Sequence, residues 1–151
     1  MPKHQYLPIY LILVLLPVSY FLGYTPLLIS FIFLIFSVLA YLAYAKDKSA
    51  ARKGEWRVSE NTLHILSLLC GWPGAIIAQE KLRHKTKKVS FRIVFWLTLL
   101  VNLGVLSWLH TQDGSKLMHG YIYKFEHLVV GEFGASNTSI ALLSLTKFRG
   151  E

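Results

Sequence analysis

The chain has 151 residues, of which 54% are hydrophobic, and a formal net charge of +8 at neutral pH. This length is enough for one domain, and the apolar content is high for a soluble one. The single cysteine, Cys70, excludes an intrachain disulfide and lies in an apolar run, where cysteine acts as a small hydrophobic residue. Apolar residues that face lipid, together with basic residues that face an anionic surface, would account for this composition.

Two apolar segments open the chain and are separated by a short turn. The first spans 6–22, and the second, 27–45, is uncharged over about the 20 residues needed to cross a bilayer. Gly23 and Pro26 favour a turn between them, so the two segments are predicted to form an antiparallel transmembrane helical hairpin. A secretory signal peptide is the competing interpretation of the first segment, but its basic start is weak and no small-residue cleavage site follows.

A basic loop follows the hairpin. Its basic residues are Lys46, Lys48, Arg52, Lys53 and Arg57. They outnumber Asp47 and Glu55, which indicates a cytoplasmic loop by the positive-inside rule. Ser59 is suited to cap a helix, and Glu60 is favourably placed in its first turn. A third helix is therefore predicted to begin here.

The third apolar segment, 62–78, is interrupted near its middle by helix-breaking residues. These are Gly71, Trp72, Pro73 and Gly74. A second basic cluster follows at 81–92, and two basic flanks on one side of the membrane require the segment to enter and leave on that side. A simple kinked crossing is the alternative. The charge pattern favours the re-entrant form, in which protein or water must surround the broken backbone.

A final apolar segment, 90–110, is predicted to cross the membrane, and the residues after it differ in composition. The tail, 111–151, is mixed in character and richer in glycine. Aromatic and β-branched residues at 121–125 and 127–130 are typical of short strands, so a β-hairpin is predicted there. The sequence thus predicts an all-α membrane domain over 1–110 and an extramembrane tail.

The region around the two basic clusters resembles a known family. The residues that carry the resemblance are Asp47-Lys48, Trp56-Arg57, Glu60, Leu63-His64, Gly71-Trp72-Pro73-Gly74-Ala75, Gln79, Arg83-His84-Lys85-Thr86, Lys88 and Ser90-Phe91. At this spacing they resemble the bacterial DUF1294 family of small membrane proteins of unknown function, which in some members follow a cold-shock nucleic-acid-binding domain. The resemblance covers about 34–103. The sequence departs from the family pattern at Cys70, where glycine is common, and in the tail after Trp108. The resemblance implies a bacterial inner-membrane protein and supplies no catalytic residues.

An anion site is the first candidate that the charged residues of this region support. Its members would be Arg57, Arg83, His84, Lys85 and Lys88. Phosphate is the natural partner, in a lipid headgroup or a nucleic-acid backbone. The alternative is that these residues only set the topology and anchor the chain at the headgroups.

Structural ion pairing and metal binding are the other candidates. Asp47, Glu60 and Glu80 lie at the ends of apolar segments, where unpaired charges are costly, and pairs such as Asp47 with Arg57, or Glu80 with Arg83 or His84, are predicted. A metal site would use Glu60, His64 and His84. That signal is weak because there is no HExxH motif, so no metal or other cofactor is expected.

The function predicted from the sequence is a non-enzymatic membrane module whose cytoplasmic basic face binds phosphate-bearing partners, most simply anionic lipid. Two alternatives stay open. One is a membrane enzyme or transporter that acts on a lipid phosphate at the broken third segment, and the other is membrane-tethered nucleic-acid binding. Nucleic-acid binding by 81–92 would be electrostatic and salt-sensitive. A protein partner or a homo-oligomer is not determined by these patterns.

Overall fold

The computed structural model describes residues 3–85, 88–134 and 136–149, and the regular elements within these ranges are helical. The α-helices are α1 (Leu7–Phe21), α2 (Leu27–Lys53), α3 (Glu60–Leu66), α4 (Trp72–Leu82), α5 (Val89–Leu109), α6 (Gln112–Phe133) and α7 (Asn137–Thr146). A 3₁₀ turn at Lys3–Tyr6 precedes α1, and a π-helical turn at Ser67–Gly71 joins α3 to α4. The chain forms two compact units, one from Met1–Ile12 and Ile32–Gly104 and the other from Leu13–Phe31 and Val105–Glu151.

Three helical segments are long and apolar enough to cross a membrane. They are Leu27–Lys53, Glu60–Leu82 and Val89–Leu109, with mean hydropathies of 2.5, 1.3 and 2.0. The helix α1 is also apolar but has only 15 residues. With 27 residues, α2 is about 40 Å long, which is longer than the roughly 30 Å hydrocarbon core of a bilayer, and its C-terminal part carries the charged residues. These helices indicate an all-α membrane protein, as the sequence predicted.

The segment from α3 to α4 reverses direction. Glu60, at its start, pairs with Lys85, just after its end, with Oε1 and Nζ 2.7 Å apart. A straight helix of 23 residues would separate its ends by about 33 Å, which is more than a three-residue connection and two side chains bridge. The reversal occurs at Leu69 and Cys70, whose backbone angles are not helical (φ −80°, ψ 40° and φ 70°, ψ 5°).

The helix break therefore lies just before the glycine and proline residues to which the sequence assigned it. Gly71 is the N-cap of α4, and Pro73 occupies its first turn, where proline costs no hydrogen bond. Gly71 and Gly74 serve close packing against α2. A Cβ on Gly74 would overlap the Ser37 carbonyl, and one on Gly71 would lie 2.6 Å from the Phe36 carbonyl oxygen.

The backbone carbonyls at the reversal have partners inside the protein. Asn102 on α5 donates from Nδ2 to the Leu68 carbonyl oxygen at 2.9 Å, and Ser67 Oγ donates to the Leu63 carbonyl oxygen at 2.8 Å. Asn102 itself is buried. Because lipid provides no hydrogen-bond partners, a broken helix at membrane depth requires such contacts.

The tail is helical, and the predicted β-hairpin is wrong. Both stretches that were predicted as strands lie within α6. The side chain of Thr111 caps this helix by accepting from the Gly114 amide, and Met118 and Val129 are buried at helical spacing. Aromatic and β-branched residues favour strands only where a neighbouring strand packs against them, and here the cap and the buried helical face prevail.

The second unit contains a hydrogen-bonded group of hydroxyl and imidazole side chains, Ser19, Thr25 and His110, of which Ser19 and Thr25 are buried. We call it the neutral cluster, because its contacts need no ionised group. Ser19 Oγ lies 2.8 Å from Thr25 Oγ1 and 2.8 Å from His110 Nε2. His110 Nδ1 lies 2.7 Å from the Leu106 carbonyl oxygen. Because a carbonyl only accepts, Nδ1 carries the proton, and in the neutral ring Ser19 donates to Nε2.

Candidate functional site

A group of ion pairs is centred on Asp47, near the C-terminal end of α2. The Asp47 carboxylate is fully buried, and Arg57 donates to it twice, from Nε to Oδ1 at 3.1 Å and from Nη2 to Oδ2 at 3.2 Å. His84 Nε2 donates to Oδ2 at 2.7 Å. A buried carboxylate is strongly disfavoured unless it is paired and hydrogen-bonded, so these contacts are what stabilise Asp47 in this position.

A second carboxylate, Glu60, extends the group. Lys85 Nζ lies 2.7 Å from Oε1 and Lys88 Nζ 2.7 Å from Oε2, while Lys85 is also 3.8 Å from Asp47 Oδ2. We call the following six residues the charge clamp: Asp47, Arg57, Glu60, His84, Lys85 and Lys88. Hydrogen bonding to Asp47 raises the pKa of Arg57 above its ordinary value, so the guanidinium stays charged.

The start of α3 places Glu60 in the clamp. The Thr62 amide donates to Ser59 Oγ at 3.1 Å, so Ser59 is the N-cap, as predicted. Glu60 then lies in the first turn of α3, where the positive end of the helix dipole favours a carboxylate. The cap and the carboxylate together set where the helix begins.

The end of α4 places the basic residues. Arg83 adopts a left-handed conformation with φ 47°, and the amides of Arg83 and His84 donate to two carbonyls in the last turn of α4. This is the usual way to end a helix with a sharp turn, although glycine is the common residue at the left-handed position. Lys85 is also left-handed, with φ 62°, and Lys48 Nζ donates to the Leu82 carbonyl. Two left-handed residues so close together orient His84 and Lys85 toward α2.

An aromatic cluster centred on Phe91 lies beside the clamp. Phe91 is buried, and its ring centroid is 4.3 Å from the His64 ring and 6.2 Å from the Tyr44 ring. Lys85 Nζ lies 5.6 Å from the same centroid, a cation–π distance. Gln79 Nε2 donates to the Tyr44 hydroxyl at 3.2 Å. His64 is therefore a packed ring in this cluster.

The structure brings together most, but not all, of the site residues that the sequence suggested. Asp47 and Arg57 form the ion pair suggested by the sequence, and Glu60 pairs with two lysines. Arg83 is exposed outside the clamp. Glu80 forms no ion pair within the described ranges, and its Oε1 is buried there without a hydrogen-bond partner.

The residues named for a metal site have other partners. Glu60 engages lysines, His84 engages Asp47, and His64 stacks on Phe91. Across 3–85, 88–134 and 136–149, no group of three or more His, Cys, Asp or Glu side chains is arranged to hold a metal ion. These residues are engaged in ion pairs and ring packing that link α2, α3 and the residues before α5.

Two residues that sequence reasoning did not assign to a site are prominent here. Trp56 is 98% exposed in the loop next to Arg57. The sequence feature that could have identified Trp56 is a tryptophan within a basic loop predicted to lie at the membrane surface. Asn102, which caps the Leu68 carbonyl, was visible as an isolated amide in the final apolar segment.

Comparison with known proteins finds a family similarity over the part of the chain that holds the clamp. Residues 37–91 match the model of DUF1294, described as a protein of unknown function. This part of the chain is therefore similar to the DUF1294 family. It is also 34% identical over 55 residues to the uncharacterized protein YsdA of Bacillus subtilis (strain 168), an alignment that covers 36% of this chain. The chain spans 62% of the length of that relative, and no solved structure matches.

Proposed function

We propose that this chain is a multi-pass protein of the bacterial inner membrane that binds anionic phospholipid at the cytoplasmic surface. The binding surface consists of the charge clamp and the exposed basic residues near it in sequence, which together we call the clamp face. In this arrangement α2 and α5 cross the bilayer, while the DUF1294 segment from α3 to α4 enters and leaves on the cytoplasmic side. The 2.7 Å pair of Glu60 with Lys85 supports the proposal, because it holds the two ends of that segment together beside the end of α2.

The dimensions of the folded-back segment fit a re-entrant hairpin. With 11 residues, α4 is about 16 Å long, roughly half of the 30 Å hydrocarbon core. The reversal at Leu69 and Cys70 would then lie near the middle of the membrane. Asn102 on α5, which donates to the Leu68 carbonyl, supplies the contact that such a depth demands.

Exposed basic residues lie close in sequence to the members of the clamp. They are Lys46, Arg52, Lys53, Lys81, Arg83 and Arg92. Three cations in the clamp already face two carboxylates, so these exposed side chains are the ones available to phosphate groups. A basic residue near an anionic surface contributes about 1 kcal/mol of attraction. Trp56, almost fully exposed in the same loop, is suited to anchor at the headgroup level.

Native mass spectrometry of the full chain, released from detergent with equal phosphatidylglycerol and phosphatidylcholine, tests the lipid preference. We expect preferential retention of phosphatidylglycerol, and loss of that preference when Arg52, Lys53, Lys81 and Arg83 are all changed to glutamine. A control that changes Lys116, on α6, and Lys147, after α7, to glutamine is expected to keep the preference. Equal retention of both lipids by the native chain would exclude the proposal.

Cysteine accessibility in membrane vesicles tests the topology. In a Cys70→Ala background, single cysteines at Gly54 and Lys88 are expected to react with an impermeant maleimide from the same, cytoplasmic, side. A cysteine at Gln112, after α5, is expected to react from the other side. Opposite labelling at positions 54 and 88 would mean that the segment from α3 to α4 crosses the membrane.

A further inference from the structure

One face of α6 carries apolar side chains that are exposed among the residues that the structure describes. Leu117, Tyr121, Phe125 and Leu128 are exposed, with Tyr121 and Leu128 at 65% and 61%. At 100° per residue the four side chains lie within about 80° of one another. We call these four residues the apolar stripe.

The side of α6 next to the stripe packs against the protein itself. Met118 and Val129 are buried, and His119 stacks on Phe148 with ring centroids 4.0 Å apart. Thr146, at the end of α7, donates from Oγ1 to Glu126 at 2.6 Å. The helix is therefore fixed by α7 and the residues after it, with the apolar stripe left outside.

The position of α6 in the chain indicates what meets the stripe. It begins three residues after the end of α5, whose Val105 and Trp108 are exposed apolar residues in the same unit. A Cβ on Gly114 would overlap the Trp108 carbonyl, so the first turn of α6 packs directly against the end of α5. A helix that starts where a membrane span ends begins at the level of the headgroups.

The composition and size of the stripe favour lipid over a protein partner. Lys124 borders the stripe, with Nζ 5.7 Å from the Tyr121 ring centroid. Tyrosine beside a lysine that can extend toward water is typical of a membrane interface. Four side chains are far fewer than the roughly 20–30 residues per side of a standard protein interface.

We propose that α6 is an interfacial helix that lies along the membrane surface, with the apolar stripe set at the boundary between headgroups and acyl chains. This inference rests on the proposed crossing of the membrane by α5. It assigns to the tail a lipid contact of its own, separate from the clamp face.

Spin labels on the full chain in phospholipid nanodiscs test this arrangement. In a Cys70→Ala background, single cysteines replace Tyr121 and Leu128 in the stripe, and Lys116 and His127 outside it as controls. Power saturation compares the accessibility of each label to oxygen, which concentrates in lipid, and to a water-soluble nickel chelate. We expect the stripe labels to shift toward oxygen and the control labels toward nickel.

Two results would overturn the proposal. Nickel accessibility at all four positions would mean that α6 stands in water, and shielding of the stripe labels from both agents would mean that protein covers it. A label at Val101 on α5 separates this inference from the proposed function. If Val101 lacks the oxygen signature, the membrane span itself is wrong, whereas oxygen access at Val101 with nickel access at the stripe refutes only the placement of α6.

Discussion

The charge clamp of the first unit and the neutral cluster of the second unit are built from different kinds of contact. The clamp joins charged side chains from α2, α3 and the residues around the start of α5, and its outer members Arg57 and Lys88 stay about half exposed. The neutral cluster joins two hydroxyls and an imidazole, with Ser19 and Thr25 buried. A buried charge is tolerated only when it is both paired and hydrogen-bonded, whereas a buried neutral polar group needs only a hydrogen-bond partner. The difference predicts unequal costs when each is broken.

Removing the buried charge is expected to have the largest effect. Asp47→Asn keeps the shape of the side chain but leaves Arg57 without its counter-charge and removes the carboxylate that accepts from His84, and we expect a loss of about 3 kcal/mol in the free energy of unfolding. Steric-trapping measurements in bicelles provide that value. The control is Glu55→Gln in the adjoining loop, where the side chain is exposed. If Asp47→Asn unfolds like the native chain, the clamp does not stabilise the first unit.

The close approach of α4 to α2 gives the next largest effect. In Gly74→Ala the new Cβ meets the Ser37 backbone, which cannot move aside as a flexible side chain would. We expect a loss of about 1–3 kcal/mol, measured in the same way. Gly104→Ala on α5 is the matched control, since nothing lies within 4 Å of its Cβ position, and it is expected to cost nothing. Equal effects of the two substitutions would contradict the packing described.

Breaking the neutral cluster is expected to cost less than breaking the clamp. Ser19→Ala removes the hydrogen bonds of Ser19 to Thr25 and His110, for a loss of about 1–2 kcal/mol, because polar groups but no charge are left unpaired. The comparison with Asp47→Asn in one series of unfolding experiments tests the contrast directly. Ser107→Ala, exposed on α5, is the control. If Ser19→Ala lowered the free energy of unfolding by more than Asp47→Asn does, the expected order of the neutral cluster and the charge clamp would be wrong.

The smallest effect is expected to be a gain. Cys70 is held at φ 70°, where a side chain costs about 1 kcal/mol relative to glycine. We expect Cys70→Gly to raise the free energy of unfolding by up to about that amount, while the β-branched Cys70→Val lowers it. A clear loss in Cys70→Gly would show that the thiol packs at the reversal in a way that outweighs the backbone cost.

The parts of the fold that depend on local pattern could be predicted from the sequence. The all-α membrane character follows from long uncharged runs, and the N-cap at Ser59 follows from a hydroxyl residue that precedes Glu60. A break in the third segment was also visible. Its placement was not, because glycine serves either a turn or close packing, and only the neighbouring helix α2 decides between them.

The contacts between distant residues could not be predicted. Glu60 meets Lys85 and Lys88 only because the chain reverses between them, and many lysines were available as partners. Asn102 required knowledge of which carbonyl is left free at the reversal. The tail was assigned to strands by composition, whereas its buried residues follow the helical repeat.

The fold-back of the third segment also has a consequence for synthesis. Arg57 precedes the segment and His84 follows it, so a nascent chain that ends at residue 82 contains the whole segment but only half of what fastens it. At that stage the 23 residues of the segment, which are apolar enough to cross a membrane, have been synthesised, but His84, Lys85 and Lys88 of the clamp have not. On the proposed re-entrant topology, the contacts of His84, Lys85 and Lys88 that hold the segment in this form become available only after these residues have left the ribosome.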